Sequence, residues 1–381
     1  MVKRVSIATV GKRASKPTQP KTWSPQPFLR TLGALSFVSV IAATGCKPEL
    51  EGRPSLVDSP RVIGIRSTAA EAKAESDVTY DVLVAQPVDD STAPEFNWAL
   101  CLARKPLATA GPIADTCLTV SGPELQSLGG TSSVSGSIPK DACTLFGPNP
   151  PSQKAGDPAV RPVDPDTTGG YYQPVRLLTQ YGPDNSQYDV GVTRLSCGLA
   201  GGATQEQSAT FTKDYRPNQN PQISQISFKQ GGADPIVVDP NATDLPTVPG
   251  GANLSFEVSW PDCPLSPTCG DNICSAGEDL TNCPSDCQNP QGCEGSEPYL
   301  SYDTVTQSLA DRRESIRVSW YATDGNFDHD RTGRAEDEAA SANTSNNWSA
   351  PNKATKVRFW LVIRDDRRGV NWTTFDLNVT K

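Results

Sequence analysis

The chain has 381 residues, of which 36% are hydrophobic and 20% charged, with 34 prolines, 30 glycines and a single histidine. That is too apolar for wholesale disorder and too rich in Pro and Gly for a helical protein, so a mostly β chain in two domains is expected. Seven of the 34 basic residues fall within positions 1–45, which contain no acid, leaving 27 basic against 43 acidic groups and a net −16 beyond them. Such a charge repels phosphate backbones and excludes nucleic acid as a partner. A lone His329 excludes multi-histidine zinc sites and any mechanism that needs two imidazoles.

In chain order, Lys3, Arg4, Lys12, Arg13, Lys16, Lys21 and Arg30 precede a 12-residue run from Leu32 to Ala43, too short to span a bilayer comfortably and typical of an export signal. The run ends in Ala43-Thr44-Gly45-Cys46, which resembles the lipobox of bacterial lipoproteins. The resemblance implies that residues 1–45 are removed and that Cys46 is acylated, anchoring the chain in a membrane. Lys47, in place of the aspartate that retains such proteins on the inner membrane, implies delivery to the outer membrane. An ordinary signal peptide with an incidental cysteine is the alternative, and either way the chain is exported.

Without Cys46, ten cysteines remain, an even number suited to five disulfides in an oxidising compartment. They fall into two groups, Cys101, Cys117, Cys143 and Cys197, then Cys263, Cys269, Cys274, Cys283, Cys287 and Cys293. Cys101 and Cys117 flank an expected excursion after one strand, which leaves Cys143 for Cys197; Cys263 and Cys293 are expected to close the base of an insert.

Residues 46–60 read as a tether. Period-2 alternation bounded by Pro, Gly, Asn and Asp then predicts strands at Val62–Ile65, Val78–Val84 and Phe96–Leu102, and, after a poorly patterned stretch at 121–170, at Tyr172–Leu178, Tyr188–Leu195 and Ala209–Phe211. The Pro/Asn-rich segment 216–222 is expected to link domains spanning 61–215 and 223–381. Both halves open on a proline before a short strand (Pro60, Pro221) and continue into an alternating one, Val78–Val84 and Leu254–Trp260, a weak internal repeat. Strands at Ile316–Trp320 and Val357–Ile363 follow, with a turn at Asp365–Gly369. In the last strand Val370 and Trp372 are out of phase with Phe375, Leu377 and Val379, which predicts a β-bulge near Thr373-Thr374.

Trp320, Gly325, Phe327, Asn347-Trp-Ser-Ala-Pro351 and the run Val357–Val370 resemble the Ig-like, PKD-related domains of bacterial surface proteins. Arg368 stands where the first glycine of the usual pair falls. Together with the lipobox, the pattern is similar to that of myxobacterial-type lipoproteins. The fold expected is all-β: two tandem Ig-like β-sandwiches with a small disulfide-rich insertion, residues 263–293, in the second. Within it, Cys269-Gly-Asp-Asn-Ile-Cys274, Gly277-Glu278 and Cys283-Pro-Ser-Asp-Cys287 resemble a short cysteine module of bacterial secreted and surface proteins. The module is too small for a core of its own and is expected to be held by disulfides.

No cofactor is expected, with calcium as the alternative: Asp271, Asn272, Glu278 and Asp286 supply the oxygen ligands a hard cation needs. Asp324, Asn326, Asp328 and Asp330 alternate as in a calcium loop, but an EF-hand would have Gly at His329 and Glu at Ala335. Zinc is excluded because oxidised cysteines offer no thiolate. Ser137-Ile-Pro-Lys140 fits S-x-x-K in letters only, since that motif needs a helix. No nucleophile elbow, P-loop, zincin or dinucleotide motif occurs in the sequence, and an enzyme is not expected. Trp260 and Trp320 continue core faces, whereas Trp360 and Trp372 are candidates for stacking on a ligand.

The expectation is therefore a non-catalytic, lipid-anchored cell-envelope protein that uses Ig-like domains for display, adhesion or envelope assembly. Its partners would be the membrane, reached through the N-terminal lipid, and envelope proteins or polysaccharide. The alternatives are a carbohydrate- or peptidoglycan-binding accessory module, marked by a row of exposed aromatics, and a hydrolase, marked by acids converging in a cleft.

Overall fold

A computed structural model describes residues 53–90, 92–150, 152, 159–160, 165–183, 185–199, 203–263, 269–270, 278, 282–287 and 293–381. The chain is all-β. In the first half the strands are β1 (Arg61–Ser67), β2 (Glu71–Ala72), β3 (Asp77–Ala85), β4 (Glu95–Cys101), β5 (Leu125–Gly129), β6 (Ser133–Ser137), β7 (Tyr172–Gln180) and β8 (Ser186–Leu195). They form a three-stranded sheet, β1-β3-β6, facing a five-stranded one, β2-β8-β7-β4-β5. Between them Tyr80, Trp98, Leu100, Val175 and Leu177 make a closed core, the expected result of inward apolar alternation on both sheets.

The second half contributes β9 (Gln225–Gln230), β10 (Ile236–Val237), β11 (Thr247–Pro249), β12 (Asn253–Ser259), β13 (Pro298–Asp303), β14 (Ser308–Arg313), β15 (Ile316–Ala322), β16 (Asn326–Phe327), β17 (Arg331–Arg334), β18 (Asn343–Ser349), β19 (Thr355–Asp365) and β20 (Val370–Thr380). Sheets β10-β9-β12-β18-β16 and β11-β20-β19-β15-β17 enclose a second core, and β13-β14 stands as a separate hairpin. Phe256 sits at the centre of that core, with Trp320, Phe327, Trp348, Phe359 and Phe375 around it at ring separations of 5.6 to 6.4 Å. The two halves start alike: β1 pairs antiparallel with β3, and β9 with β12.

Three expectations need correction. The segment 209–211 is not a strand but lies in the helix Gln205–Asp214, whose capping box joins the Thr204 hydroxyl to the Gln207 amide and the Gln207 side chain to the Thr204 amide. No residue of that helix is buried, so a core-facing period gave nothing to read. There is also no bulge at Thr373-Thr374, since β20 pairs with β19 without a break from Val370 to Val379. The phase change arises because both faces of this sheet are covered: Phe375, Leu377 and Val379 enter the second core, while Val370 and Trp372 turn outward to the first sandwich. The third correction concerns the tether, whose end is docked. Ser55 and Val57 are buried, and this segment exchanges backbone hydrogen bonds with Ala322 at the end of β15 (Val57 N to Ala322 O, Ala322 N to Ser55 O, both 2.9 Å).

The sandwiches meet along β1 and β3 on one side and the outer face of β15, β19 and β20 on the other. Val57, Ile63, Ala85, Trp360 and Val362 form a third buried cluster there. Gly64 lies so close to Trp372 that an added Cβ would come within 3.2 Å of its ring. Segment 216–222 crosses the same boundary and is bonded to both sides, through Asn220 to the Ser67 carbonyl (2.8 Å) and to the Val370 amide (2.9 Å).

Four disulfides are described: Cys101–Cys117, Cys143–Cys197, Cys263–Cys293 and Cys269–Cys283. The first three are the pairs expected from the sequence, and none joins the two groups of cysteines. Cys287 is also disulfide-bonded; Cys274 lies outside the described residues. These bonds are consistent with an oxidising, extracytoplasmic setting. No helix among the described residues is long and apolar enough to cross a membrane.

Candidate functional site

Trp360 is buried, at 3% exposure, and cannot serve as a platform for a ligand. Trp372 is half-buried beneath the guanidinium of Arg66, which lies 4.5 Å from its ring centroid. Both belong to the contact between the sandwiches, because β19 and β20 bury two faces rather than one.

The oxygen-rich loop 324–330 does not gather its carboxylates. Asp324 pairs with Lys353 at 2.9 Å, Asp328 accepts from the Asn347 side chain at 2.8 Å, and Asp330 accepts the Ser55 amide at 3.1 Å. Asn326 lies in β16, paired with Ser349, and His329 is held through its backbone by the Asn346 side chain. In the cysteine module, Asp271 and Asn272 lie outside the described residues. Glu278 and Asp286 are both 4% exposed, and Asp286 accepts the Gly270 amide at 2.6 Å. Asp286 also lies near Cys269 and Cys283, but those sulfurs are bonded to each other and offer no thiolate. Millimolar calcium is therefore expected to leave the melting midpoint of the oxidised protein unchanged. An ion at a hundredfold excess over its dissociation constant would instead add about 2.7 kcal/mol, so a clear rise in a calcium titration would restore these residues as ligands.

The densest polar grouping was not foreseen in the sequence. At the join, Arg367 is fully buried and its guanidinium pairs with Glu314 (2.5 Å) and with Glu297, while donating to the Arg216 carbonyl at 3.2 Å and lying 4.7 Å from the Tyr299 ring centroid. Asp365 is held by the Gly369 amide at 2.7 Å and faces Asn218. On the first sandwich, Glu71 accepts from the Tyr215 hydroxyl (2.6 Å), the Ser196 hydroxyl (2.8 Å) and the Asn218 amide (3.0 Å), with Arg194 at 3.4 Å. Burial pushes Glu297 up to about 8 and Asp365 up to about 6, and raises Glu314 well above the usual carboxylate range, in each case against the pull of Arg367. Burial opposes the charge on Arg367, but Glu314 and Glu297 outweigh it and keep the guanidinium protonated. Of these acids Glu297 and Glu314 are enclosed, with side chains 3% and 0% exposed, whereas Asp365 reaches the wall of a cleft. Ser137 and Lys140 are likewise unsuited to S-x-x-K chemistry: Ser137 ends a strand and its hydroxyl donates to Asp77.

An open cleft of about 480 Å³ lies beside the join. Its apolar walls include Ile113, Leu145, Phe146, Tyr171, Val190 and Val192. Its charged groups are Arg104, Lys105, Arg368 and Asp166. Both oxygens of Asp166 are engaged, by the Thr168 amide and hydroxyl, the Gly170 amide and the Tyr172 hydroxyl at 2.6 to 3.0 Å. Arg368 also lines a second cleft of about 320 Å³ that shares Val190 and Val192 and contains Asp189, Arg364 and Asp365.

No protein-family model matches the chain, and neither does any curated protein. Solved structures that it resembles include dimeric latent PorU from Porphyromonas gingivalis, at 10% identity over 85% of this chain and 34% of that one, with a TM-score of 0.19. Escherichia coli alpha-2-macroglobulin activated by porcine elastase matches at 7% identity over 86% and 22%, with a TM-score of 0.18. The C-terminal domain of the Streptococcus agalactiae antigen I/II polypeptide BspA matches at 9% identity over 85% and 99%, with a TM-score of 0.19. The chain thus spans about a third of PorU and about a fifth of the macroglobulin, and superpositions this loose carry no argument about what it does.

Proposed function

We propose that the chain is an exported, lipid-anchored and non-catalytic envelope protein in which two fused sandwiches act as one rigid body for display or adhesion. The observation that carries this reading is the join, where an apolar cluster, a buried ionic network and a bonded connecting segment hold the sandwiches together without a hinge. Glu297 and Glu314 are enclosed in this join and paired with Arg367 rather than set in a cleft as a hydrolase would place them, and the aromatics that a sugar-binding face would expose are used to build it. The export signal and Cys46 lie outside the described residues, so anchoring rests on the sequence. Because Arg53 already bonds to the Gly325 carbonyl, six residues separate an acylated Cys46 from Arg53, seven steps along the chain with a reach of at most about 25 Å. The second sandwich would therefore sit close to the membrane.

Metabolic labelling with an alkynyl fatty acid tests the anchor. Wild type should be labelled and pellet with membranes, and Cys46→Ser should lose the label and appear in the soluble fraction. An unlabelled, soluble wild type would remove the lipid from this reading.

A further inference from the structure

We infer that the cleft beside the join binds a small organic anion, a carboxylate carried on an apolar body, with Lys105 and Arg368 holding the carboxylate. The inference goes beyond the envelope reading and stands even if Cys46 is not acylated.

The first support is charge. A chain with net charge −9 gathers three cations around one apolar cleft, and the one carboxylate among the described lining residues is saturated with hydrogen bonds. Lys105 and Arg368 have no hydrogen bond or ion pair of their own among the described residues, and Lys105 is nonetheless half-buried. A cation held part-way out of water without a counter-ion is stabilised by an anion that enters beside it. At about 480 Å³ the space falls within the range of roughly 300–1,000 Å³ typical of small-molecule sites, with the usual mixture of apolar wall and few polar groups.

The second support is the backbone. Arg368 has φ +80°, a left-handed conformation that glycine adopts freely and that costs an L-residue about 1–2 kcal/mol. Its neighbour Gly369 is required, because a Cβ there would collide with the Asp365 carboxylate and the Gln219 carbonyl. Arg368 itself is exposed, and its guanidinium has no hydrogen bond or ion pair among the described residues. The left-handed conformation serves the turn between β19 and β20, where glycine would adopt it without strain, so an arginine kept at that position points to a use for its side chain. The turn sends Arg367 into the sealed interior and Arg368 outward to the cleft, so adjacent arginines serve stability and binding separately.

The test uses the full chain carrying Cys46→Ser, oxidised, with 2-naphthoate as probe and 2-naphthalenemethanol as its neutral counterpart, titrated by calorimetry and by NMR. Naphthoate should bind saturably at least tenfold tighter than the alcohol, and the preference should shrink as salt is raised. Lys105→Gln with Arg368→Gln should abolish the preference. Arg368→Gly should weaken naphthoate several-fold while raising the melting midpoint, a combination that a purely structural role cannot produce. Equal binding of acid and alcohol, no saturable binding of naphthoate at millimolar concentration, or unchanged affinity in Arg368→Gly would each overturn the inference.

Discussion

Arg367→Met is expected to destabilise the protein by about 3–5 kcal/mol at pH 8, where Glu297 is losing its proton, the cost of removing the cation from a buried, hydrogen-bonded acid cluster. The side chain it removes is 0% exposed, and Glu297 and Glu314 at 3% and 0% have no route to solvent. Burying an ion pair is itself expensive, so the network as a whole need not be worth much. The combination Glu297→Gln, Glu314→Gln and Arg367→Met should therefore recover most of the loss. Urea unfolding of the two variants separates these cases. A single variant within 1 kcal/mol of wild type at pH 8, the resolution at which such a difference would count as absent, would show that Arg367 is not the counter-ion we describe.

The same network gives the protein a pH dependence of fixed sign. Glu297 and Asp365 have folded-state values raised by burial to about 8 and about 6. The native state thus holds protons that the unfolded chain has already released, and the contribution is complete below about pH 4 and lost as pH rises through about 6 and then about 8. Glu71 and Asp366 add to the rise at Glu297 and Asp365 respectively and so move the midpoints without changing the direction. Wild type should unfold at lower urea at pH 8 than at pH 5.5, and Arg367→Met should steepen that fall.

Some of this was legible in the sequence and some was not. The strand positions of Val78–Val84, Leu254–Trp260 and Val357–Ile363 could be read because each has one face in a core, and alternation is the direct record of that burial. The strands between residues 121 and 137 were missed because sequences such as Ser-Val-Ser-Gly-Ser (133–137) bury only Val134, and the hairpin β13-β14 because β13 buries Tyr299 to Tyr302 in succession while β14 is largely exposed, so neither alternates. The join was misread for the opposite reason: with both faces of β19 and β20 covered, Trp360 looked like an exposed aromatic and Trp372 like evidence of a bulge. Arg367 and its acids were hidden because Glu297, Glu314 and Arg367 lie on separate elements, and an isolated Asp, Glu or Arg in a turn reads as solvated surface. Arg368 alone left a trace, as a non-glycine residue where the turn pattern calls for glycine.

Trp360→Ala should cost about 3–5 kcal/mol, the usual penalty for emptying a fully packed tryptophan site, although the residue belongs to neither sandwich core. At 3% exposure it packs with Val57 from the docked N-terminal segment, Ile63 and Ala85 from the first sandwich, and Val362 beside it on β19. Its loss would open a cavity that only a shift of one sandwich against the other could close. Such a shift would break the bonds that cross the boundary: Arg364 to the Ile63 carbonyl (2.7 Å), Arg66 to the Asn371 side chain (2.6 Å) and Asn220 to the Ser67 carbonyl (2.8 Å). Relaxation by collapse is therefore resisted, which places the cost toward the upper end of the range. Wild type should unfold in one transition when followed by both tryptophan fluorescence and far-ultraviolet dichroism, and the variant should either shift that transition whole or split it as the sandwiches come apart. Two transitions already resolved in wild type, neither of them moved by Trp360→Ala, would mean that the sandwiches are independent and that the rigid body we describe does not exist in solution.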